Sequence, residues 1–356
     1  MKIALLTPHN PDKIFGGVEN IVRVMRDKLR ERGHEVGVFY STDMVPKQMQ
    51  VTKSLSLLKD VRRLNEYDVV HSHSWAGSIN NFLKAPSINT CHGSLAGWLK
   101  AVGPFIPAYM KLAKQFVTLS LEKRSYSCSD LVASISKSTR DELIGLYGIP
   151  EGKIREIFIG VDTGYYKQLD QAAARESVGF GKFDRIVLTT GRMDRGQKGL
   201  DMYEEIILSL KEEKFTPIIN GTIMKGSEKY VPGNVVLNLI PTREVREKLP
   251  MVYNSADVFV QTSRYEGCSG SLLEAIACGI PCVAFDTGSA AEVIQDGVNG
   301  YVIPRYDTKM FAERVKDILH DGTFKKRAAE HNRGLEKAIS LDTMIDKYVM
   351  AYRELA

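Results

Sequence analysis

Cysteine is scarce in this chain and unpatterned. The five residues, Cys91, Cys128, Cys268, Cys278 and Cys282, are odd in number and form no Cys-x-x-Cys pair. That excludes a disulfide framework or a zinc ribbon and fits a reducing cytosol. No apolar run approaches the roughly 20 residues that cross a bilayer. The opening run Lys2–Thr7 is short and precedes Pro8, so it reads as a first strand rather than a secretory signal. No GxGxxG follows that strand, which argues against a dinucleotide oxidoreductase. Low-complexity tracts and short repeats are absent. Neither sign of charge dominates: 48 basic against 43 acidic residues leave +5. Residues 1–165 hold the excess, 22 basic against 16 acidic. This permits an anionic partner, but no basic run with interleaved aromatics points to nucleic acid.

What is present is a strand–helix alternation that runs twice. With 356 residues, 44% of them hydrophobic, the chain has the size of about two domains. Lys2–Thr7, Glu35–Tyr40, Asp68–His73, Ser87–Cys91 and Leu131–Ile135 are short Val- and Ile-rich runs, apolar on both faces, as buried parallel strands are. Helical patterns separate them, such as Val18–Arg32, closed by Gly33, and Lys137–Tyr147. The pattern restarts with strands Arg185–Thr190, Thr216–Asn220, Val235–Ile240, Asp257–Thr262 and Pro281–Asp286. Helices Leu200–Lys211, Arg243–Asn254, Ser271–Cys278 and Thr308–His320 accompany them. The expectation is an α/β protein of two Rossmann-like domains with parallel sheets, residues 1–165 and 166–341. The seam is placed in the glycine-bearing stretch 164–184, and the last helix, within 342–356, is free to pack on either domain.

Ligands of open α/β sheets sit beyond the carboxyl ends of the strands, and four groups of residues stand there. Gly16-Gly17 precede a helix, where backbone amides can approach an anion; taken alone, a plain turn entering a helix is the better explanation. His71 and His73 share one side of a strand, and His92-Gly93 follow the next. The pair permits a metal, but no third ligand stands at a characteristic spacing. His92 suits a cleft as a hydrogen-bond donor or a base. Gly191-Arg192-Met-Asp-Arg-Gly-Gln-Lys198-Gly199 follows a strand, with Arg192 and Lys198 suited to phosphate oxygens. Glu266-Gly-Cys-Ser-Gly-Ser-Leu-Leu-Glu274 is the most specific. Its amides from Ser269 through Gly270 and Ser271 to Leu272 open a helix, and its carboxylates suit a diol. Ser271-x-x-Glu274 alone would also read as a capping box in the first turn.

Together these motifs, with Asp286-Thr-Gly-Ser-Ala-Ala-Glu292 and Asp296-Gly-Val-Asn-Gly300, resemble the retaining GT-B glycosyltransferases of family four over nearly the whole chain. The resemblance implies a nucleotide-diphosphate sugar held between two Rossmann-like domains facing across a cleft. It assigns Arg192 and Lys198 to the donor diphosphate, supported by Gly16 and Gly17. Glu274 is assigned to the ribose, Glu266 and the amides of Ser269 to Leu272 to the donor sugar, and His92 to orienting that sugar. The Gly-Arg…Lys-Gly loop is one residue longer than the commonest spacing, as in some starch- and glycogen-type synthases. Cys268-Ser-Gly-Ser271 replaces the usual aromatic and Gly-Leu-Pro, and Gly288-Ser289 a common Gly-Gly.

The resemblance further implies hexosyl transfer with retention, by front-face attack of an acceptor hydroxyl, with no cofactor and no obligatory metal. Ala96–Arg124, rich in aromatics and lysines, reads first as core packing along the acceptor side; in some relatives this region meets a lipid acceptor, so it also permits peripheral contact with the inner face of a membrane. A sugar or glycolipid acceptor is expected, and no nucleic acid. The rival readings are a GT-B nucleotide-sugar epimerase or phosphorylase, and a non-catalytic nucleotide-sugar-binding protein.

Overall fold

The computed structural model describes residues 1–14, 16–42, 50–238 and 242–356. The chain divides into two compact units, Met1–Ile159 with Asp342–Ala356, and Gly160–Leu341. The glycine-bearing stretch 164–184 thus lies inside the second unit, where it includes the helix Gln171–Ser177, and the last helix belongs with the first.

Unit 1 holds six parallel strands: β1 (Lys2–Thr7), β2 (Glu35–Tyr40), β3 (Val69–His73), β4 (Ser87–Cys91), β5 (Leu131–Ser134) and β6 (Ile154–Glu156). Their order is β2-β1-β3-β4-β5-β6. Unit 2 holds β7 (Ile186–Met193), β8 (Thr216–Ile223), β9 (Val236–Asn238), β10 (Val258–Gln261), β11 (Cys282–Phe285) and β12 (Gly300–Ile303), in the order β12-β11-β10-β7-β8-β9. Each is parallel throughout. Both sheets therefore have apolar strands covered on both faces, as parallel sheets require. In unit 1, Leu6, Phe39, Val70 and Ile79 pack on one another, and Tyr126, Val132, Leu143 and Tyr147 form a second cluster. In unit 2, Val187, Tyr203, Val260, Phe285 and Phe311 make one core.

The strand order locates the functional end of each sheet. In unit 1 the chain runs from β1 outward to β2 and returns on the other side at β3. In unit 2 it runs outward through β8 and β9 and returns at β10. The crevices beyond β1/β3 and β7/β10 are the switch points where such sheets bind ligands. Of the four residue groups singled out above, Gly16-Gly17 follow β1, His71 and His73 lie within β3 with His92 just past β4, and the Glu266–Glu274 group follows β10. β7 runs on to Met193, so Gly191-Arg192 lie among its last residues and only the rest of that group follows it.

Two strands escaped the sequence pattern. β6 has three residues, and β12 begins at Gly300 inside a turn-rich stretch. Of the expected strand Val235–Ile240, residues 236–238 are β9 and 239–240 lie outside the described residues. Entry to and exit from unit 2 are tied together. Val161 donates to the Ile339 carbonyl at 2.8 Å and Leu341 to the Val161 carbonyl at 3.0 Å. The approach is so close that a Cβ on Gly160 would sit 2.6 Å from Leu341 Cα.

Candidate functional site

In unit 2, the loops after β7 and β10 are stitched into one platform. Thr262 Oγ1 donates to the Lys198 carbonyl at 2.9 Å, and the Arg264 amide to the Gln197 carbonyl at 2.8 Å. Gly199 stands at φ +64° where a Cβ would meet the Thr262 carbonyl at 2.2 Å, so only glycine allows this contact. Arg264 is buried and grips Asp201 with both terminal nitrogens, at 2.8 and 2.9 Å, and Arg195 binds the same carboxylate. Burial pushes the Asp201 carboxyl up, but these guanidiniums more than offset it and hold it below its ordinary range. Arg195 and Arg264 are thereby spent on structure. Arg192, at the end of β7, is exposed and has no ion pair among the described residues.

Lys198 is not free. Its Nζ lies 2.5 Å from Glu266 Oε1, which also accepts from Ser263 Oγ at 2.7 Å; Glu266 is buried and the Lys198 side chain 23% exposed. The structure thus joins two residues whose sequence-derived roles were separate. Gly288, at φ +58°, closes over them; a Cβ there would approach Glu266 Cβ to 2.9 Å. Beside this pair begins the helix Gly270–Ala277. Its N-cap is Ser269, whose Oγ accepts from the Leu272 amide at 3.4 Å. The capping box expected at Ser271 is therefore not formed: the cap lies two residues earlier, and Glu274 falls in the second turn. The Leu272 amide is taken by the cap, whereas Gly270 faces open space. Glu274 accepts from Tyr253 Oη at 2.6 Å and bonds Tyr166 as well.

In unit 1, Gly16 caps the helix Gly17–Glu31 without a side-chain bond. Over it folds the buried Glu19 carboxylate, with Oε2 where a Gly16 Cβ would come within 2.2 Å. The sequence reading counted the amides of this helix start but not the carboxylate already beside them. Phe15 of that motif lies outside the described residues. β4 ends at Cys91 and passes through His92, half-buried, and Gly93 at φ +126° into the helix Leu95–Val102. That helix start is saturated by the chain itself. Glu122 accepts from the Leu95 amide at 2.8 Å, Tyr147 Oη from Ala96 at 3.0 Å and Ser94 Oγ from Gly97 at 2.8 Å. Tyr147 and Tyr126 also donate to Glu122. Burial raises the Glu122 carboxyl to about 7, against the hydrogen bonds that lower it. His71, His73 and His92 stack on one another. Among the described residues no three His, Cys, Asp or Glu converge as a metal site would need.

Two family models match this chain, "Glycosyltransferase Family 4" over residues 15–165 and "Glycosyl transferases group 1" over residues 184–321. The chain belongs to the group 1, family 4 glycosyltransferases. An uncharacterised glycosyltransferase of Methanocaldococcus jannaschii is 22% identical over 99% of this chain and 98% of its own. The fold is GT-B, shared with sucrose-phosphate synthase from Thermosynechococcus elongatus at TM-score 0.82 and 19% identity, over 99% of this chain and 98% of that one. HepE from Anabaena, solved in complex with UDP, aligns over the whole of both chains at TM-score 0.77 and 19% identity.

The glycosyltransferase supports these groups with residues that no motif contains. Tyr253 and Tyr166 hold Glu274, and Glu122 holds the helix start after His92, from segments that no local spacing connects; Arg264, two residues before Glu266, holds Asp201.

The Lys198–Glu266 pair should be costly to break from one side. Lys198→Met strands a buried carboxylate and should cost about 2–4 kcal/mol, the low part of the range for buried pairs because the ammonium is partly wetted. Adding Glu266→Gln should restore most of that in urea melts. A double variant as unstable as the single one would show the pair is not coupled. Glu122 gives a pH signature. With a folded pKa near 7 above an unfolded value near 4.5, the folded state holds the extra proton, so stability is full below pH 4.5 and falls as pH rises through 7. Glu122→Gln should escape this loss. Its stability relative to wild type should climb by about 3 kcal/mol between pH 4.5 and 7 and stay flat above; a pH-independent difference would contradict the assignment.

Proposed function

We propose that this glycosyltransferase moves a hexosyl group from a nucleoside-diphosphate sugar to an acceptor hydroxyl with retention of configuration, using its own cations and no divalent metal. The observation that carries the reading is Arg192, an exposed guanidinium without an ion pair among the described residues. It lies in the last residues of β7, the strand whose following loop carries Lys198, which pairs with Glu266 of the loop after β10, where the helix Gly270–Ala277 begins. UDP in the structure of HepE supports a nucleotide ligand for the shared fold.

In this reading Arg192 and Lys198 take the diphosphate, Glu274 the ribose, and Glu266 with the Gly270 and Ser271 amides the sugar. Negative charge builds on the diphosphate as the C1–O bond breaks, and fixed positive groups lower that barrier. The acceptor oxygen then bonds C1 on the face the diphosphate leaves, and its proton passes to the departing phosphate oxygen. Retention follows without a covalent enzyme intermediate.

The acceptor reading rests on a second observation. The helix Ala108–Ala113 and the turn Lys114–Thr118 bury none of their residues, and Tyr109 and Phe116 are 72% and 69% exposed. From Lys100 to Thr118 there are three lysines and no acid. An apolar, basic, unburied segment suits the surface of an anionic membrane, where a lipid-linked acceptor would be met. Five thiols without a disulfide suit the inner face. Among the described residues no helix is long and apolar enough to cross a membrane.

Screening UDP-, GDP- and ADP-hexoses for slow hydrolysis tests the donor. One sugar nucleotide should be consumed, insensitively to EDTA, giving the same anomer by NMR, and Arg192→Ala should slow it by about 10²–10³-fold. An inverted anomer, an epimerised donor or loss of activity with EDTA would each overturn part of the reading. Sedimentation with phosphatidylglycerol vesicles tests the surface. Wild type should pellet and be released by salt, and Tyr109→Ser with Phe116→Ser should stay in solution; equal pelleting with neutral phosphatidylcholine vesicles would remove the anionic assignment.

A further inference from the structure

β3 and β4 bring three imidazoles into one stack. His71 lies on His73 with ring centroids 4.3 Å apart, and His73 on His92 at 5.2 Å, each pair inclined by 25°. The first ring is satisfied at both nitrogens. Nδ1 meets Tyr352 Oη at 2.6 Å, Nε2 meets Thr90 Oγ1 at 2.7 Å, and Thr90 Oγ1 meets Tyr348 Oη at 2.9 Å. His73 differs. Its Nδ1 lies 2.9 Å from Nε2 of His92, while its own Nε2 is buried without a partner among the described residues. Enclosure lowers the pKa of all three rings, so each is neutral and carries one proton.

Two proton arrangements fit the 2.9 Å contact. Were His92 to donate from Nε2, His73 would hold its proton on the other nitrogen, a buried N–H with nothing to receive it. When His73 donates from Nδ1, that other nitrogen is a bare lone pair, and His92, accepting at Nε2, holds its proton on Nδ1. A buried N–H without an acceptor is the rarer defect, because an idle acceptor is more readily tolerated. We infer that His73 is a positioning residue: its Nδ1–H fixes the ring plane and tautomer of His92, which therefore offers an N–H from Nδ1, and no lone pair, to a substrate oxygen.

His92 Nδ1 has no hydrogen bond to any described residue, and it is not one of the buried polar atoms left without a partner. With its basic nitrogen turned toward His73, His92 serves as a hydrogen-bond donor to a hydroxyl or phosphate oxygen and not as a general base. Only the assignment of His92 to substrate rests on the glycosyltransferase reading; the tautomer stands apart from it.

Nitrogen NMR of the full chain with 15N-labelled imidazoles tests this, His92 being assigned by its loss in His92→Ala. The wild type should show a protonated Nδ1 and a bare Nε2 at His92. His73→Phe, which has no donor, should move His92 toward the Nε2–H form, and His73→Asn, whose amide N–H falls close to the lost Nδ1–H, should hold it. An Nε2–H form in the wild type, or the same tautomer in His73→Phe, would overturn the proposal. Should His73→Phe fail to fold, the wild-type spectrum and His73→Asn decide. With whichever sugar nucleotide the wild type hydrolyses, His73→Phe should lower kcat/KM roughly tenfold, the value of one hydrogen bond, and His73→Asn should recover most of it. Adding His73→Phe to His92→Ala should cost nothing more; multiplied losses would overturn the coupling. Normal turnover in His92→Ala, with the tautomer as stated, would remove His92 from the substrate and leave the positioning claim intact.

Discussion

The 2.5 Å contact between the Lys198 ammonium and the Glu266 carboxylate governs the charge at the β7/β10 crevice. The buried carboxylate and the half-buried ammonium are each tolerable where they sit because the other is there. The pair is close to neutral as a unit, so the positive charge left over in these loops comes from the exposed Arg192 and from Arg195 and Arg264, which share the one Asp201 carboxylate. Any anion arriving there would not meet a bare lysine; it would share one with a carboxylate that already holds it. The surrounding glycines serve this arrangement. Gly199 and Gly288 bring backbone up against the loop that carries the pair, where any side chain would push it apart.

Unit 1 solves a different problem. There the residues at the strand ends are neutral imidazoles, and the loop that bears His92 is held by groups behind it. Glu122, Tyr147 and Ser94 take the first amides of the following helix, so this helix start serves to anchor the loop and not to bind an anion. At Gly16 the buried Glu19 carboxylate likewise lies against the helix start. A helix N-terminus read from sequence is an offer of donors; whether the chain has already accepted that offer depends on side chains that no motif contains.

The sheets were legible because buried parallel strands write their own signature: short, β-branched runs, apolar on both faces, between helices that end at glycines such as Gly33. β6 and β12 were too short or too glycine-bound to leave that mark. The placement of Lys198, Glu266 and His92 beyond strand ends was legible too, since it follows from strand boundaries; Arg192 was not, because β7 runs past the expected end at Thr190 to Met193. What could not be read was pairing across the chain. Lys198 and Glu266 are 68 residues apart and seemed to belong to separate tasks. Glu274 looked like half of a capping box with Ser271, yet Ser269 won the cap because its Oγ is the one that reaches the Leu272 amide. His71 and His73 suggested a metal by spacing alone, and their actual partners are Tyr352 and His92.

The helix Leu341–Leu355 inserts Tyr348 and Tyr352 among the fully buried side chains of unit 1, against Thr90 and His71. Those two tyrosines follow the whole of unit 2 in chain order. On the ribosome the second sheet can therefore complete itself while the first still lacks part of its interior. A nascent chain would carry an unfinished first unit until Tyr348 and Tyr352 emerged, and a truncation that removed those two residues would injure the first sheet rather than the second.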